Sequence, residues 1–236
     1  MQLFYNSDLT ETTKNFSFDK EESRHIIKVL RKRDGDILHV TNGLGLLFET
    51  KITLASDNKC TVEIISLTKK EALPYYLHLA VAPTKMNDRF EWFLEKATEI
   101  GIHEITPILC DRSERKVINK DRYEKIILSA LKQSNEVYLP KLNPAVTFKE
   151  FVAQEAKRGL RLIAHCEETD KKTLKFVLKA NEDVTMLIGP EGDFSEKEIQ
   201  LALDNKFQAV SLGVTRLRTE TAAMVACHSV AFFNEN

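Results

Sequence analysis

Two stretches near the C-terminus, Ile188-Gly-Pro-Glu-Gly-Asp-Phe194 and Leu212-Gly-Val-Thr-Arg-Leu-Arg-Thr-Glu-Thr-Ala-Ala223, contain the residue types from which a reactive site can be built. Gly189, Gly192 and Gly213 leave room for a ligand to lie against bare backbone. Arg218 brings a guanidinium that can stabilise a developing anion. Glu220 and Glu191 are candidate general bases, with a plainer alternative of serving a helix dipole or holding a loop. A purely geometric account stands beside all of this, because tight strand-to-helix turns need Gly and Pro whatever they bind.

The flanking elements are what must position these groups. Val184 to Ile188 and Ala209 to Leu212 are apolar runs of strand length. Ser195 with Glu198 forms a capping box and Phe194 can staple onto Ile199, so a helix is predicted to begin at Ser195. Thr219 is the predicted N-cap of the last helix, with Glu220 in its positive first turn. Loops at the carboxyl ends of such strands are where open α/β sheets bind ligands. His165-Cys-Glu167 follows another strand, Leu160 to His165, and is a candidate third wall.

Upstream, Leu77 to Ala82 and Ile105 to Leu109 alternate with helical segments Asp88 to Ile100 and Lys120 to Leu131, which predicts a mostly parallel sheet flanked by helices. Asp88 with Glu91 offers a capping box, Phe90, Phe93, Leu94 and Ala97 form one stripe, and Gly101 ends the helix; Trp92 falls off the stripe. Before Pro74 the pattern changes. A helix from Asp19 to Leu30 is followed by strands Asp36 to Thr41, Leu46 to Leu54 and Cys60 to Leu67, which fits a small antiparallel barrel. Ala222 to Phe233 is apolar nearly all round, so it is expected to be buried on all sides, with a second subunit as the natural cover.

Composition narrows the class. The 236 residues are 43% hydrophobic and 29% charged, an ordinary balance for a globular chain able to bury a core. No run reaches the length of a membrane span, and the polar start is no signal peptide, so a soluble, cytoplasmic protein is expected. Cys60, Cys110, Cys166 and Cys227 are widely spaced, with neither zinc spacing nor a redox pair; they read as reduced core residues, and no metal is expected. Gly43-Leu-Gly45 precedes a strand, which removes a Rossmann loop, and there is no Walker sequence. A net charge of −1 argues against strong nonspecific nucleic-acid binding. Two local basic clusters are still candidates: Lys28, Arg31, Lys32 and Arg33, and then Arg112, Arg115 and Lys116. The plain alternative for each is a solvated surface.

These words resemble one family along the whole chain. Gly189-Pro-Glu-Gly192 and Leu217-Arg-Thr-Glu-Thr-Ala222 are similar to the signature loops of RsmE-type 16S rRNA (uracil-N3)-methyltransferases, in the SPOUT superfamily. His25-Ile-Ile-Lys-Val-Leu-Arg31 with Gly35-Asp36, Lys96-Ala-Thr-Glu-Ile-Gly101, and Gln133-Ser134 resemble its other signatures. Two departures occur. After Gly213 the family's Pro and Arg are replaced by Val214 and Thr215, with Arg216 one place later, and Asn135-Glu136 stands where a basic residue often follows Gln-Ser.

The resemblance implies an α/β chain with a PUA-like antiparallel β-barrel over residues 1–70 and a SPOUT domain with a trefoil knot over 74–236. It implies S-adenosyl-L-methionine as cofactor, held by His165, Cys166, Ile188, Gly189, Pro190, Glu191, Gly192, Leu212, Gly213, Leu217, Thr219 and Ala222. On chemical grounds Arg218 is the candidate stabiliser of the uracil anion, and Glu220, with Glu191 as the alternative, the candidate base. Lys28, Arg31, Lys32, Arg33, Arg112, Arg115, Gln133 and Ser134 are candidate contacts to 16S rRNA in the small ribosomal subunit. A homodimer is implied as well. Two alternatives stay open: a SPOUT enzyme acting on tRNA, and a non-catalytic RNA-binding ribosome-assembly factor.

Overall fold

The computed structural model describes residues 2–154, 159–167 and 171–235. The chain divides into two compact units, one comprising Met1–Ala72 with Leu131–Leu139, the other Leu73–Ala130 with Pro140–Asn236.

The first unit contains β1 (Leu3–Tyr5), β2 (Asn15–Ser17), α1 (Lys20–Arg24), β3 (Ile37–Thr41), β4 (Leu46–Leu54) and β5 (Thr61–Lys69). They form one sheet in the order β1-β3-β4-β5-β2. The antiparallel pairing expected from the sequence is present, with one parallel pair, β1 with β3, added at an edge. Phe4, Val40, Phe48, Ile52 and Val62 make its core, and Ile26 is fully buried against them. Asp19 caps α1 by accepting from the Glu22 amide at 2.8 Å. The predicted helix to Leu30 then widens into a π-helical turn over His25–Val29. Arg31, at φ 57°, turns the chain out of it.

The second unit contains β6 (Leu77–Val81), α2 (Asn87–Ile100), β7 (Glu104–Leu109), most of α3 (Lys120–Ser134), β8 (Lys141–Leu142), β9 (Val146–Thr147), α4 (Phe148–Val152), β10 (Leu160–Ala164), β11 (Lys172–Thr173), β12 (Val184–Ile188), α5 (Glu196–Asp204), β13 (Gln208–Ser211) and α6 (Thr219–Phe233). The sheet runs β11-β13-β10-β12-β6-β7-β8, with β9 on β7. Every pairing described in it is parallel. All five residues of β6 are buried, the mark of a strand covered on both faces. Ala80, Ile163 and Leu187 pack with Phe148, Phe151 and Ile199 of α4 and α5, while α6 packs on β6, β12 and α2.

Three local expectations are corrected. The start of α2 has Met86 at the cap and no side-chain cap bond. Glu91 is drawn instead to Arg122 of α3, whose Nη2 donates to it at 2.8 Å, and to Asn87. At α6 the N-cap is Arg218, and Thr219 is already helical. Cys166 is exposed, whereas Cys60, Cys110 and Cys227 are buried; all four are free thiols. Gly101 does end α2, in the left-handed region at φ 116°, as read from sequence. Among the described residues the cover of α6 is incomplete toward its C-terminal end. Ala223, Ala226, Cys227 and Val230 are buried, while Phe232 is 63% and Phe233 40% exposed.

Candidate active site

The turn after β12 is built to hold its shape. The Asp193 amide closes it on the Pro190 carbonyl at 2.9 Å, and Asp193 itself sits at φ 62°. Ser195 then caps α5 with the reciprocal Ser195–Glu198 box that the sequence specified. Phe194 is fully buried, in the same cluster as Ile199. Three groups from elsewhere in the unit lock the turn. Arg112 Nη1 donates to the carbonyls of Gly192 at 2.9 Å and Phe194 at 3.3 Å. Ser195 Oγ donates to Asp111 at 2.7 Å. The Lys85 amide donates to Glu191 Oε1 at 2.8 Å. A Cβ on Gly189 would lie 3.1 Å from the Phe194 ring, so any side chain there would have to push the ring aside by a few tenths of an ångström.

The second loop leaves β13, turns at Gly213 and enters α6. Ser211 Oγ donates to the Gly213 carbonyl at 2.8 Å. Val214, Thr215, Arg216 and Arg218 are exposed, and Leu217 is half-buried between them. Thr219 Oγ1 donates to the Gly189 carbonyl at 3.0 Å, which ties the two loops together. Glu220 is buried, with Oε1 4.0 Å from Arg89 Nε of α2 and Oε2 without a hydrogen-bond partner.

His165 and Cys166, at the end of β10, form the third wall. The Cys166 amide donates to Asp193 Oδ2 at 2.7 Å, and Lys171 Nζ donates to the carbonyls of His165 at 2.7 Å and Glu167 at 2.6 Å. His165 is 7% exposed, yet neither ring nitrogen has a hydrogen-bond partner among the described residues. Burial, and then the Lys171 charge, push its pKa below the ordinary histidine value, so the ring is neutral near pH 7. A buried neutral imidazole offers one donor and one acceptor, and both are unused here.

Between these walls lies a cleft of two adjoining lobes, about 270 Å³ and about 370 Å³. Ala164, Cys166, Arg216, Leu217 and Ala222 border both. The smaller lobe adds Ile188, Gly189, Pro190, Glu191, Asp193, Arg218 and Thr219. The larger adds His165, Lys171, Leu212 and Gly213, among others. Of the sequence candidates for the cleft, Gly192 and Glu220 do not line it. A Cβ on Gly192 would meet Arg112 Cβ at 3.2 Å, on the loop's outer side. Asp193, Lys171 and Arg216 line the cleft without having been singled out as ligand contacts. Asp193 and Arg216 stand inside the two quoted stretches, where their charge was the available signal; nothing local marked Lys171.

The remaining candidates lie outside the cleft. Lys28 is 3.3 Å from Asp57, and the exposed Arg31 and Arg33 follow with half-buried Lys32 in the first unit. Arg115 donates to the carbonyls of Thr84 at 3.1 Å and Lys85 at 3.0 Å. Gln133 is exposed at the end of α3, where Ser134 Oγ bonds back to Leu131. Among the described residues, no cluster of three or more His, Cys, Asp or Glu suits a metal, and no helix is long and apolar enough to cross a membrane.

A family model for the RNA methyltransferase domain matches residues 71–231, and one for the RNA methyltransferase PUA domain matches 18–65. Ribosomal RNA small subunit methyltransferase E of Buchnera aphidicola is 30% identical, covering 89% of this chain and 85% of its own. A probable rRNA-methyltransferase from Porphyromonas gingivalis superposes with a TM-score of 0.91 at 37% identity, over 99% of this chain and 98% of its own. A methyltransferase from Legionella pneumophila, solved in complex with the bound cofactor SAM, gives 0.87 at 30% identity, over 98% and 97%.

Proposed function

Because the chain belongs to the RsmE-type family of RNA methyltransferases, we propose that it methylates small-subunit ribosomal RNA from S-adenosylmethionine, at N3 of a specific uridine. The observation that carries this is the cleft at the carboxyl ends of β10, β12 and β13, with Arg218 on its rim and the unpartnered His165 ring in its wall.

The residues present suit the cofactor. Ile188, Leu212, Leu217 and Ala222 supply apolar surface for an adenosine, the loop backbones supply donors and acceptors, and His165 supplies a donor and an acceptor that no described residue uses. Bound there, S-adenosylmethionine supplies a sulfonium methyl, an electrophile that needs little activation. The harder demand falls on the substrate side. Uracil N3 carries a proton at neutral pH, so the anion left on its removal must be stabilised. The Arg218 guanidinium makes no hydrogen bond or ion pair with any described residue, which leaves it available for a uracil carbonyl. Two carboxylates are candidates for the base. Glu191 lines the cleft but commits Oε1 to the Lys85 amide; Glu220 lies outside the lining and keeps Oε2 unpartnered.

Lys28, Arg31, Lys32 and Arg33 are proposed to contact RNA phosphates, and the protein to work in the cytoplasm as a homodimer. The exposed Phe232 and Phe233 on α6 support the dimer. The trefoil knot is proposed from the family resemblance alone. Incubation of purified protein with labelled S-adenosylmethionine and small-subunit RNA, followed by nucleoside mass spectrometry, should yield 3-methyluridine. Label in tRNA alone, or cofactor binding without transfer, would turn the assignment to another substrate or to a binding factor.

A further inference from the structure

Arg216 borders both lobes of the cleft, whereas Arg218 borders only the smaller one. Its guanidinium has no hydrogen bond or ion pair with any described residue, and its charge partly offsets the upward push that burial and Asp193 give the Cys166 thiol across the cleft. The cofactor assigned above ends in an amino acid whose α-carboxylate needs a cationic donor once it leaves bulk water. Other cations on the wall are spoken for. Lys171 is held by the carbonyls of His165 and Glu167, and Arg218 is assigned to the target base. Asp193 cannot serve; it is an acceptor, and its two oxygens already take the amides of Cys166 and Phe194. Glu191, on the same lobe, places a negative charge where the cofactor's ammonium and sulfonium need one.

We propose that Arg216 binds the α-carboxylate of the cofactor's amino-acid end, which sorts the two cleft arginines into one for cofactor and one for substrate. The inference rests on S-adenosylmethionine being the ligand. Its test is calorimetric titration of wild type and Arg216→Gln with S-adenosylmethionine, S-adenosylhomocysteine and 5′-methylthioadenosine, the last lacking the amino-acid end. Arg216 is exposed and unbonded, so the variant folds, and methylthioadenosine binding serves as the internal check. The expected result is a loss of about 10–100-fold for the two amino-acid-bearing ligands, the usual cost of a charge-assisted hydrogen bond, with methylthioadenosine unchanged. Arg216→Lys should recover part of the loss, because it restores the charge without the planar fork. An equal loss for all three ligands, or undiminished S-adenosylmethionine binding with weakened RNA binding, would overturn the proposal. Wild-type protein that binds none of the three overturns the cofactor assignment itself, a result distinct from either.

Discussion

Thr219 Oγ1 and the carbonyl oxygen of Gly189 are joined by a buried 3.0 Å hydrogen bond that spans 30 residues of sequence. It fastens the first turn of α6 to the turn after β12, and so ties together the two loops that frame the cleft. It also explains the helix start. The Thr219 hydroxyl is engaged with the other loop rather than with its own helix, and Arg218 takes the cap position without a side-chain bond.

Thr219→Val keeps the shape and removes the donor, leaving a buried carbonyl without its partner. Stability should fall by about 1–3 kcal/mol, the range for an unsatisfied buried group, in denaturant melts followed by circular dichroism. Cofactor affinity should fall with it, and Thr219→Ser should restore most of both. Unchanged melts would show that the bond contributes nothing.

How much of this was legible depends on how local the cause is. The Ser195–Glu198 box, the stop at Gly101 and the run of parallel strands follow from neighbours in sequence, and the structure contains them. The α2 cap was misread because Glu91 answers to Arg122, 31 residues away. By sequence Arg112 is a candidate RNA contact; only the fold shows it reaching 80 residues along the chain to the Gly192 carbonyl. Cys166 looked like core because composition cannot show that the strand before it ends at a cleft mouth.

The position of Arg112 makes a separable prediction. Arg112→Ala should loosen the Gly189–Asp193 turn, lower the melting temperature and weaken S-adenosylmethionine binding measured by calorimetry. Because its guanidinium is taken by two carbonyls, the salt dependence of RNA binding should be the same as in wild type. A slope reduced by about 0.7–0.9 would instead assign it a phosphate contact.

Arg218→Ala should lower the methyl-transfer rate at saturating substrates by about 10²–10³, the typical loss for one electrostatic stabiliser. Affinity for RNA and cofactor should change little. Removal of Lys32 or Arg33 should do the reverse, flattening the salt slope of RNA binding by about 0.7–0.9 while single-turnover transfer at saturating RNA survives. A variant at Arg218 with a normal saturated rate would assign that residue to the loop.

His165 and His103 are both held below the ordinary histidine value of 6.5, in each case chiefly by burial. Below that value the unfolded chain takes up protons that the folded chain refuses. The sign follows: stability of the cofactor-free protein falls as pH is lowered through 6.5 and keeps falling until the folded-state groups protonate. Thermal melts between about pH 5 and 7 should show this slope, and His165→Gln should flatten it. An unaltered slope in that variant would mean the His165 ring is more open to water than its burial indicates.

The dimer prediction depends on choosing the right residue of α6. Val230 is 1% exposed within its own chain, so a glutamate there buries an unpaired charge in every assembly state and should unfold the subunit itself. Such a variant says nothing about a partner. Phe232 differs, because its ring is 63% exposed in the single chain, and Phe233 beside it is 40% exposed. If a second subunit covers this end of α6, Phe232→Glu places a charge at an apolar interface while leaving the fold of each chain intact. Stable obligate interfaces bury on the order of 2,000 Å² or more, so one charge near the edge should weaken the assembly without abolishing the protein. Sedimentation equilibrium at micromolar concentration should therefore give a wild-type dimer, a Phe232→Glu species shifted toward monomer with a cooperative melt, and an unfolded Val230→Glu chain. A wild-type monomer under those conditions would end the proposal, and Phe232 would then be an ordinary exposed ring at a helix end.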